Sequence, residues 1–164
     1  KIGDPRAIEP LIAALSDPDD DARKSIADAL GKIGNPAVES LIAVLDDPND
    51  DVRLHAVEAL GKIGDRAVAA LSTALGDANE GIRLNAVDAL GRIGLPGVEP
   101  LITALSDPYT GVRWRAVDAL GKIGDPRALQ ELERLAQEGK SKASLAHVAY
   151  AARRAADKIR RNEV

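Results

Sequence analysis

Apolar residues recur along this chain at helical rather than alternating spacing. Val38, Leu41, Ile42 and Leu45 fall at the i, i+3, i+4 and i+7 positions that line one face of an α-helix. A second stretch behaves in the same way. At about 100° per residue, and with Val52 set at zero, Ala59, Val52, Ala56, Leu60 and Val57 share one sector. The opposite sector holds Asp51, Leu54, His55, Glu58 and Lys62, which the pattern assigns to solvent. Arg53 breaks the pattern by projecting into the flank of the apolar sector.

This pair of amphipathic segments repeats. Ala-Leu-Gly-Lys/Arg-Ile-Gly stands at 29–34, 59–64, 89–94 and 119–124, a period of 30 residues. Lys1-Ile2-Gly3 is a fifth copy of its end, offset by one inserted residue, Arg6. The first helix of each unit is expected to open at Asp4-Pro5, Asn35-Pro36 or Asp125-Pro126. Each supplies a capping acceptor followed by Pro at a position where the missing N–H costs nothing. Leu95-Pro96 keeps the Pro and lacks the cap. The second helix is expected to open likewise at Asp17-Pro18, Asp47-Pro48 and Asp107-Pro108. It should end at paired glycines, Gly31 with Gly34 and Gly61 with Gly64, which supply positive φ.

Helix–turn–helix units at this period predict an all-α fold, an α-solenoid of about five units. The units run 1–31, 32–61, 62–91 and 92–121, with a C-terminal cap unit at 122–164, all in one domain spanning 1–164. The chain enters in the middle of the repeated phrase, without Met. A preceding helix, lost or supplied by another chain, would cover Ile8 and Ile12, so the expected monomer has an N-terminal face open to self-association.

Composition narrows the chemistry. The 164 residues are 45% hydrophobic and 29% charged, which excludes a disordered chain. Aromatics make up 2%, and Phe, Met and Cys are absent, so Ala, Leu, Ile and Val must fill the interior. Without Cys there can be no disulfide, thiolate nucleophile or thiolate zinc site. No apolar run is long enough to span a membrane and no signal peptide is visible, which predicts a cytoplasmic protein with no membrane partner. The net charge of −4 is unevenly placed: residues 1–139 carry 15 basic and 24 acidic groups, residues 140–164 carry 7 and 2. The acidic body argues against a nucleic-acid partner. The basic tail suits the end of a terminal helix.

Positions of the second helix form columns across the repeats. Arg23, Arg53, Arg83 and Arg113, flanking the apolar sector, are expected to pair with Asp17, Asp47, Asp77 and Asp107. Asp28, Glu58, Asp88 and Asp118 form an acidic column four residues before a basic one, Lys32, Lys62, Arg92 and Lys122. Those spacings suit i,i+4 pairing. Lys24, Leu54, Leu84 and Trp114 place three large apolar side chains on the solvent sector. Ser25, His55, Asn85 and Arg115 beside them are polar and varied, as selective recognition requires. The candidate partner-binding surface is therefore Leu54, Leu84, Trp114 and Tyr109 as an apolar anchor. Around it stand His55, Asn85, Arg115, Asp88 and Asp118. The expected partner is a protein or peptide.

From Gln130 the period fails. Glu138-Gly139-Lys140-Ser141-Lys142 replaces the tight turn, and a longer helix follows. Leu145, Val148, Ala149, Ala152, Ala156 and Ile159 lie on one side, Arg153, Arg154, Lys158, Arg160 and Arg161 on the other. His147 and Tyr150 on this helix read as packing or surface. No catalytic constellation emerges: there is no phosphate loop and no Ser nucleophile elbow. Asp17-Pro18-Asp19-Asp20-Asp21 lacks the alternation, central Gly and terminal Glu of a calcium loop. Two His and no Cys give no metal site, and no cofactor is expected.

The unit Asp-Pro-Arg-Ala-Ile-Glu-Pro-Leu-Ile-Ala-Ala-Leu-Ser-Asp-Pro, with the following Val-Arg and Ala-Leu-Gly-Lys-Ile-Gly, resembles the HEAT-like repeat of the phycobilisome-lyase type, from Lys1 to about Leu135. The resemblance implies a right-handed α-solenoid whose second helices line a concave face. It also implies one of several roles: a non-enzymatic binding scaffold, a bilin lyase-type subunit or chromophore-attachment accessory, or an artificial consensus scaffold. A lyase of this type places a tetrapyrrole on an acceptor Cys of another protein, and Trp114, Tyr109, Arg115 and Arg92 would make a small site for one. Deoxyhypusine hydroxylase, similar in repeat, carries His-Glu dipeptides after Val-Arg that hold di-iron. The matching positions here are Lys24-Ser25, Leu54-His55, Leu84-Asn85 and Trp114-Arg115, so that chemistry is not implied. A non-enzymatic interaction scaffold is the expected function.

Overall fold

The computed structural model describes residues 4–138 and 146–162. The Lys1-Ile2-Gly3 copy, the turn from Gly139 onward and Leu145 lie outside them. The described residues form helices and turns without strands, and the fold class is the all-α helical-repeat solenoid. The chain divides into two compact units, Lys1–Ala89 and Leu90–Val164. In the first, short α1 (Ile8–Ala13), α3 (Val38–Ala43) and α5 (Val68–Ala74) alternate with long α2 (Asp20–Ile33), α4 (Asp50–Ile63) and most of α6 (Glu80–Ile93). The second holds the end of α6, then α7 (Val98–Ala104), α8 (Thr110–Ile123), α9 (Leu129–Glu138) and α10 (Ala146–Asn162). Each short helix follows a single 3₁₀ turn, such as Pro5–Ala7 or Leu95–Gly97, and Pro126–Ala128 leads into α9 in the same way.

Aliphatic side chains fill both interiors, as the missing aromatics require. Leu30, Leu41, Leu60 and Leu71 are fully buried in the first unit, as are Leu101, Leu120, Leu132 and Ile159 in the second. Alanines such as Ala27, Ala56 and Ala116 have no exposed surface either. Each buried leucine contributes on the order of 2 kcal/mol.

The helix starts differ in part from expectation. Asp4 and Asp125 do cap, accepting from the backbone N–H of Arg6 at 3.0 Å and of Arg127 at 2.9 Å. Asn35 does not, because Gly34 holds the cap position there and offers no side chain. The second helices begin later than their Asp-Pro pairs. Asp17 accepts from the N–H of Asp19 at 2.8 Å, and Asp19 in turn accepts from that of Asp21 at 3.0 Å. Asp47 and Asn49 repeat this relay, as do Asp77 and Asn79. The first carboxylate shapes the bend, which Pro18 and Pro48 pre-set in the first two relays and Ala78 leaves to Asp77 in the third, and the side chain two residues on caps the helix.

The paired glycines divide the work as well. Gly34, Gly64, Gly94 and Gly124 have φ between 77° and 90° and stop the helices. Gly31, Gly91 and Gly121 lie inside helices and serve close packing. A Cβ on Gly31 would sit 2.7 Å from the Lys62 Cβ, and one on Gly121 would sit 2.9 Å from the Ala155 Cβ.

The arginine ladder uses another atom of its expected partner. Arg23, Arg53, Arg83 and Arg113 each donate from Nη1 to the backbone carbonyl of Asp17, Asp47, Asp77 and Asp107, at 2.6 to 2.8 Å. Those aspartates spend a carboxylate oxygen on the relay instead. Within the first unit Arg53 also reaches forward one repeat, donating from Nε to Asp77 at 2.8 Å and from Nη2 at 3.2 Å. Asp77 raises the Arg53 pKa above its ordinary value, ahead of opposing desolvation, and Asp50 adds to the effect. The ladder therefore ties each arginine to its own turn and Arg53 to the next repeat.

Candidate functional site

Column by column, the second helices present less free surface than their wheel implied. Lys24 is exposed and paired with Asp20 at 2.5 Å. Leu54 and Leu84 are half-buried in the first unit. Trp114, in the second, is 47% exposed. Of the three apolar residues in that column, only Trp114 is openly presented.

His55 is the main correction. Expected on the solvent sector, it is 1% exposed. Its Nδ1 lies 2.7 Å from the Asp51 carbonyl, and its Nε2 lies 3.6 Å from an Asp20 oxygen. The start of α2 thus covers the flank of α4 that a wheel drawn for one helix leaves open. The other members of its column explain the residue types. Ser25 Oγ donates to the Asp21 carbonyl at 2.9 Å, and Asn85 Nδ2 to that of Gly81 at 2.9 Å. Three different polar side chains thus make the same bond to the carbonyl four residues back. Their variation is tolerated because the acceptor is backbone, and it does not by itself mark recognition. Arg115, the fourth member of the column, is exposed.

The charged columns pair mostly across or along helices. Lys62 binds Asp28 of the preceding repeat, which holds the Asp28 carboxyl below its ordinary value. Lys122 pairs with Asp118 at 2.7 Å, the i,i+4 contact expected from spacing. Asp88 and Asp118 are both half-buried.

The second unit holds an open cleft of about 590 Å³ between α8 and α10. Trp114 and Tyr150 flank it, and Val117, Gly121, Ala151 and Ala155 make its apolar floor. Tyr150 is 66% exposed, with the Arg154 guanidinium 6.0 Å from its ring centre. Asp118, Lys122, His147, Lys158 and Arg161 complete the rim. Lys158 Nζ donates to the Gly121 carbonyl at 2.8 Å, which fixes α10 beside the last turn of α8. Sequence reasoning had Trp114 and Asp118 as candidates and missed Tyr150, Arg154 and Lys158. The legible signal was the pair Tyr150 and Arg154, an aromatic and a cation one turn apart on an alanine-rich helix. Tyr109 is 42% exposed at the start of α8. Neither it nor Arg92 or Arg115 lines the Trp114 cleft, so the small tetrapyrrole site expected from those four residues is not assembled in it.

Among the described residues, no group of three or more His, Asp or Glu side chains is placed to hold a metal. No described helix is long and apolar enough to cross a membrane.

Comparison with solved structures places the fold among helical-repeat proteins. The complex of CpcE and CpcF of phycocyanin lyase from Nostoc matches with a TM-score of 0.70 and 23% identity, over 90% of this chain and 99% of that one. A designed armadillo repeat protein in complex with the peptide (KR)4 matches at 0.56 and 23%, over 92% and 82%. Human deoxyhypusine hydroxylase matches at 0.61 and 24%, over 95% and 64%. No curated protein sequence matches the chain. The family model for HEAT repeats matches residues 1–43, 38–98 and 97–162, and the chain belongs to the HEAT-repeat family.

Proposed function

We propose that this repeat scaffold is a non-enzymatic interaction module that binds a protein or peptide on the face made by its second helices, with Trp114 as the central anchor. The observation that carries the reading is the placement of the chain's single Trp, 47% exposed beside an apolar cleft while the interior is built from aliphatic residues. Large amphipathic side chains at the centre of a contact supply most of its energy. Leu54, Leu84, Asn85 and Asp88 in the first unit, and Tyr109, Arg115 and Asp118 in the second, are secondary contacts in this reading. The likeness to a designed repeat protein in complex with a peptide supports it at the level of fold.

Affinity capture from the source lysate, with wild-type and Trp114→Ala protein side by side, tests it. The partners retained by wild type should be lost by the variant. With the isolated partner the affinity should fall about 30-fold, or 2 kcal/mol. An identical set of retained proteins at unchanged affinity refutes it. The likeness to the CpcE and CpcF complex favours a second reading, an accessory role in bilin attachment. Mixing the protein with phycocyanobilin should then shift the visible absorption band, and an unshifted band removes this reading.

A further inference from the structure

We infer that the cleft between α8 and α10 takes an acidic peptide segment carrying an apolar anchor residue. The inference rests on the interaction-module reading and names the chemistry of its partner. Shape supplies the first half. The floor of Val117, Gly121, Ala151 and Ala155 has no polar side chain, and the exposed rings of Trp114 and Tyr150 border it. An apolar side chain seated there loses water on several sides. An aromatic or leucine residue fills such a site without needing a hydrogen-bond partner.

Charge supplies the second half. The cleft's rim carries Lys122, Arg154, Lys158 and Arg161 against one carboxylate, Asp118. Lys122 is committed to Asp118 at 2.7 Å, which cancels both. Lys158 is held by the Gly121 carbonyl, a neutral acceptor, which sets its position, and it has no carboxylate partner among the described residues. Arg154 stands over Tyr150. Neither Arg154 nor Arg161 has a carboxylate partner among the described residues. Three cations around an apolar floor favour carboxylates on either side of the anchor and repel a basic segment. The contrast within the molecule sharpens this: the chain's net charge is −4, yet residues 140–164 carry 7 basic and 2 acidic groups.

The lone Trp makes the test specific, because all of the protein's Trp fluorescence comes from the cleft. The probes are a short peptide with one Phe flanked by Glu and Asp, and its charge-reversed twin with Lys in their place. The acidic peptide should shift Trp114 emission to the blue and saturate. The twin should bind at least tenfold more weakly. Arg154→Glu and Arg161→Glu, exposed positions outside the packed core, should each weaken the acidic peptide severalfold with far-UV circular dichroism unchanged. The absence of a saturable response to the acidic peptide overturns the inference, as does equal binding of the two peptides or insensitivity to both reversals. If lysate capture still depends on Trp114 in that case, the interaction-module reading stands and only the acidic chemistry falls.

Discussion

Replacing Asp77 by Asn should destabilise the protein by about 2–3 kcal/mol, far more than an aspartate in a turn ordinarily does. The side chain retains 9% exposure, and its Arg53 partner retains 13%. Its carboxylate takes two bonds from Arg53, at 2.8 and 3.2 Å, and one from the N–H of Asn79 at 2.7 Å. Asn keeps the bond to Asn79, because its carbonyl oxygen still accepts, but it removes the charge and sets an amide NH2 against the Arg53 Nε–H that the second carboxylate oxygen had accepted. Arg53 is then left partly compensated, by Asp50 at 2.6 Å and the Asp47 carbonyl at 2.7 Å. Removing one partner of a fully buried pair costs about 3–5 kcal/mol, and the residual exposure with the two surviving contacts lowers the expectation to about 2–3 kcal/mol. Asp77→Ala loses the turn bond too and should cost about 1 kcal/mol more. Urea denaturation followed by far-UV circular dichroism measures both, and a double-mutant cycle with Arg53→Met isolates the pair. Arg134→Gln, on an exposed α9 pair at 2.6 Å, is the control, with an expected loss under about 1 kcal/mol. If Asp77→Asn costs no more than that control, or the cycle shows no coupling, the tie does not hold these two neighbouring repeats of the first unit in register.

Two further substitutions probe features that helix wheels misplace. Gly121→Ala should stabilise by about 1 kcal/mol on helix propensity alone. The new Cβ would meet the Ala155 Cβ at 2.9 Å, so overpacking of about 1–3 kcal/mol should make the change net destabilising. A raised melting temperature would show that α8 and α10 are free to part. His55→Ala should cost about 2 kcal/mol because it empties a fully enclosed site against α2. A surface histidine would change stability by less than about 0.5 kcal/mol, and a loss that small in chemical denaturation would return His55 to the solvent face.

Repeat architecture was legible because period, caps and glycine stops act locally, and each is written in neighbouring residues. Gly34 and its equivalents show the limit of that reading. Their positive φ follows from position alone, whereas the packing role of Gly31 requires knowing that Lys62 lies across from it. The arginine ladder shows the same boundary. Spacing brings Arg53 to the right turn, but not to the carbonyl of Asp47 or the carboxylate of Asp77 in the following repeat. His55 was misread for a related reason. A single-helix wheel locates the apolar sector well and its flanks poorly, because a neighbouring helix covers a flank according to crossing geometry that no one helix encodes.

The cleft escaped sequence reading because it forms where the period stops. Along the repeats, a residue on one second helix finds its neighbour about one period further on, as Gly31 finds Lys62. At the end, Gly121 meets Ala155, further along the chain than the period would place its partner. That shift brings Ala151 and Ala155 to the floor beside Val117, and Tyr150 with Arg154 to the rim beside Trp114. Small residues make the space and large ones border it, so the capping helix does more than close the apolar face of α8. A cap needs only to be apolar inside and polar outside. Arg154 and Arg161, unpaired with any described carboxylate beside two exposed rings, exceed that requirement. Their charge-reversal therefore separates a cap from a binding surface: stability should be indifferent to it, and affinity for an acidic segment should not.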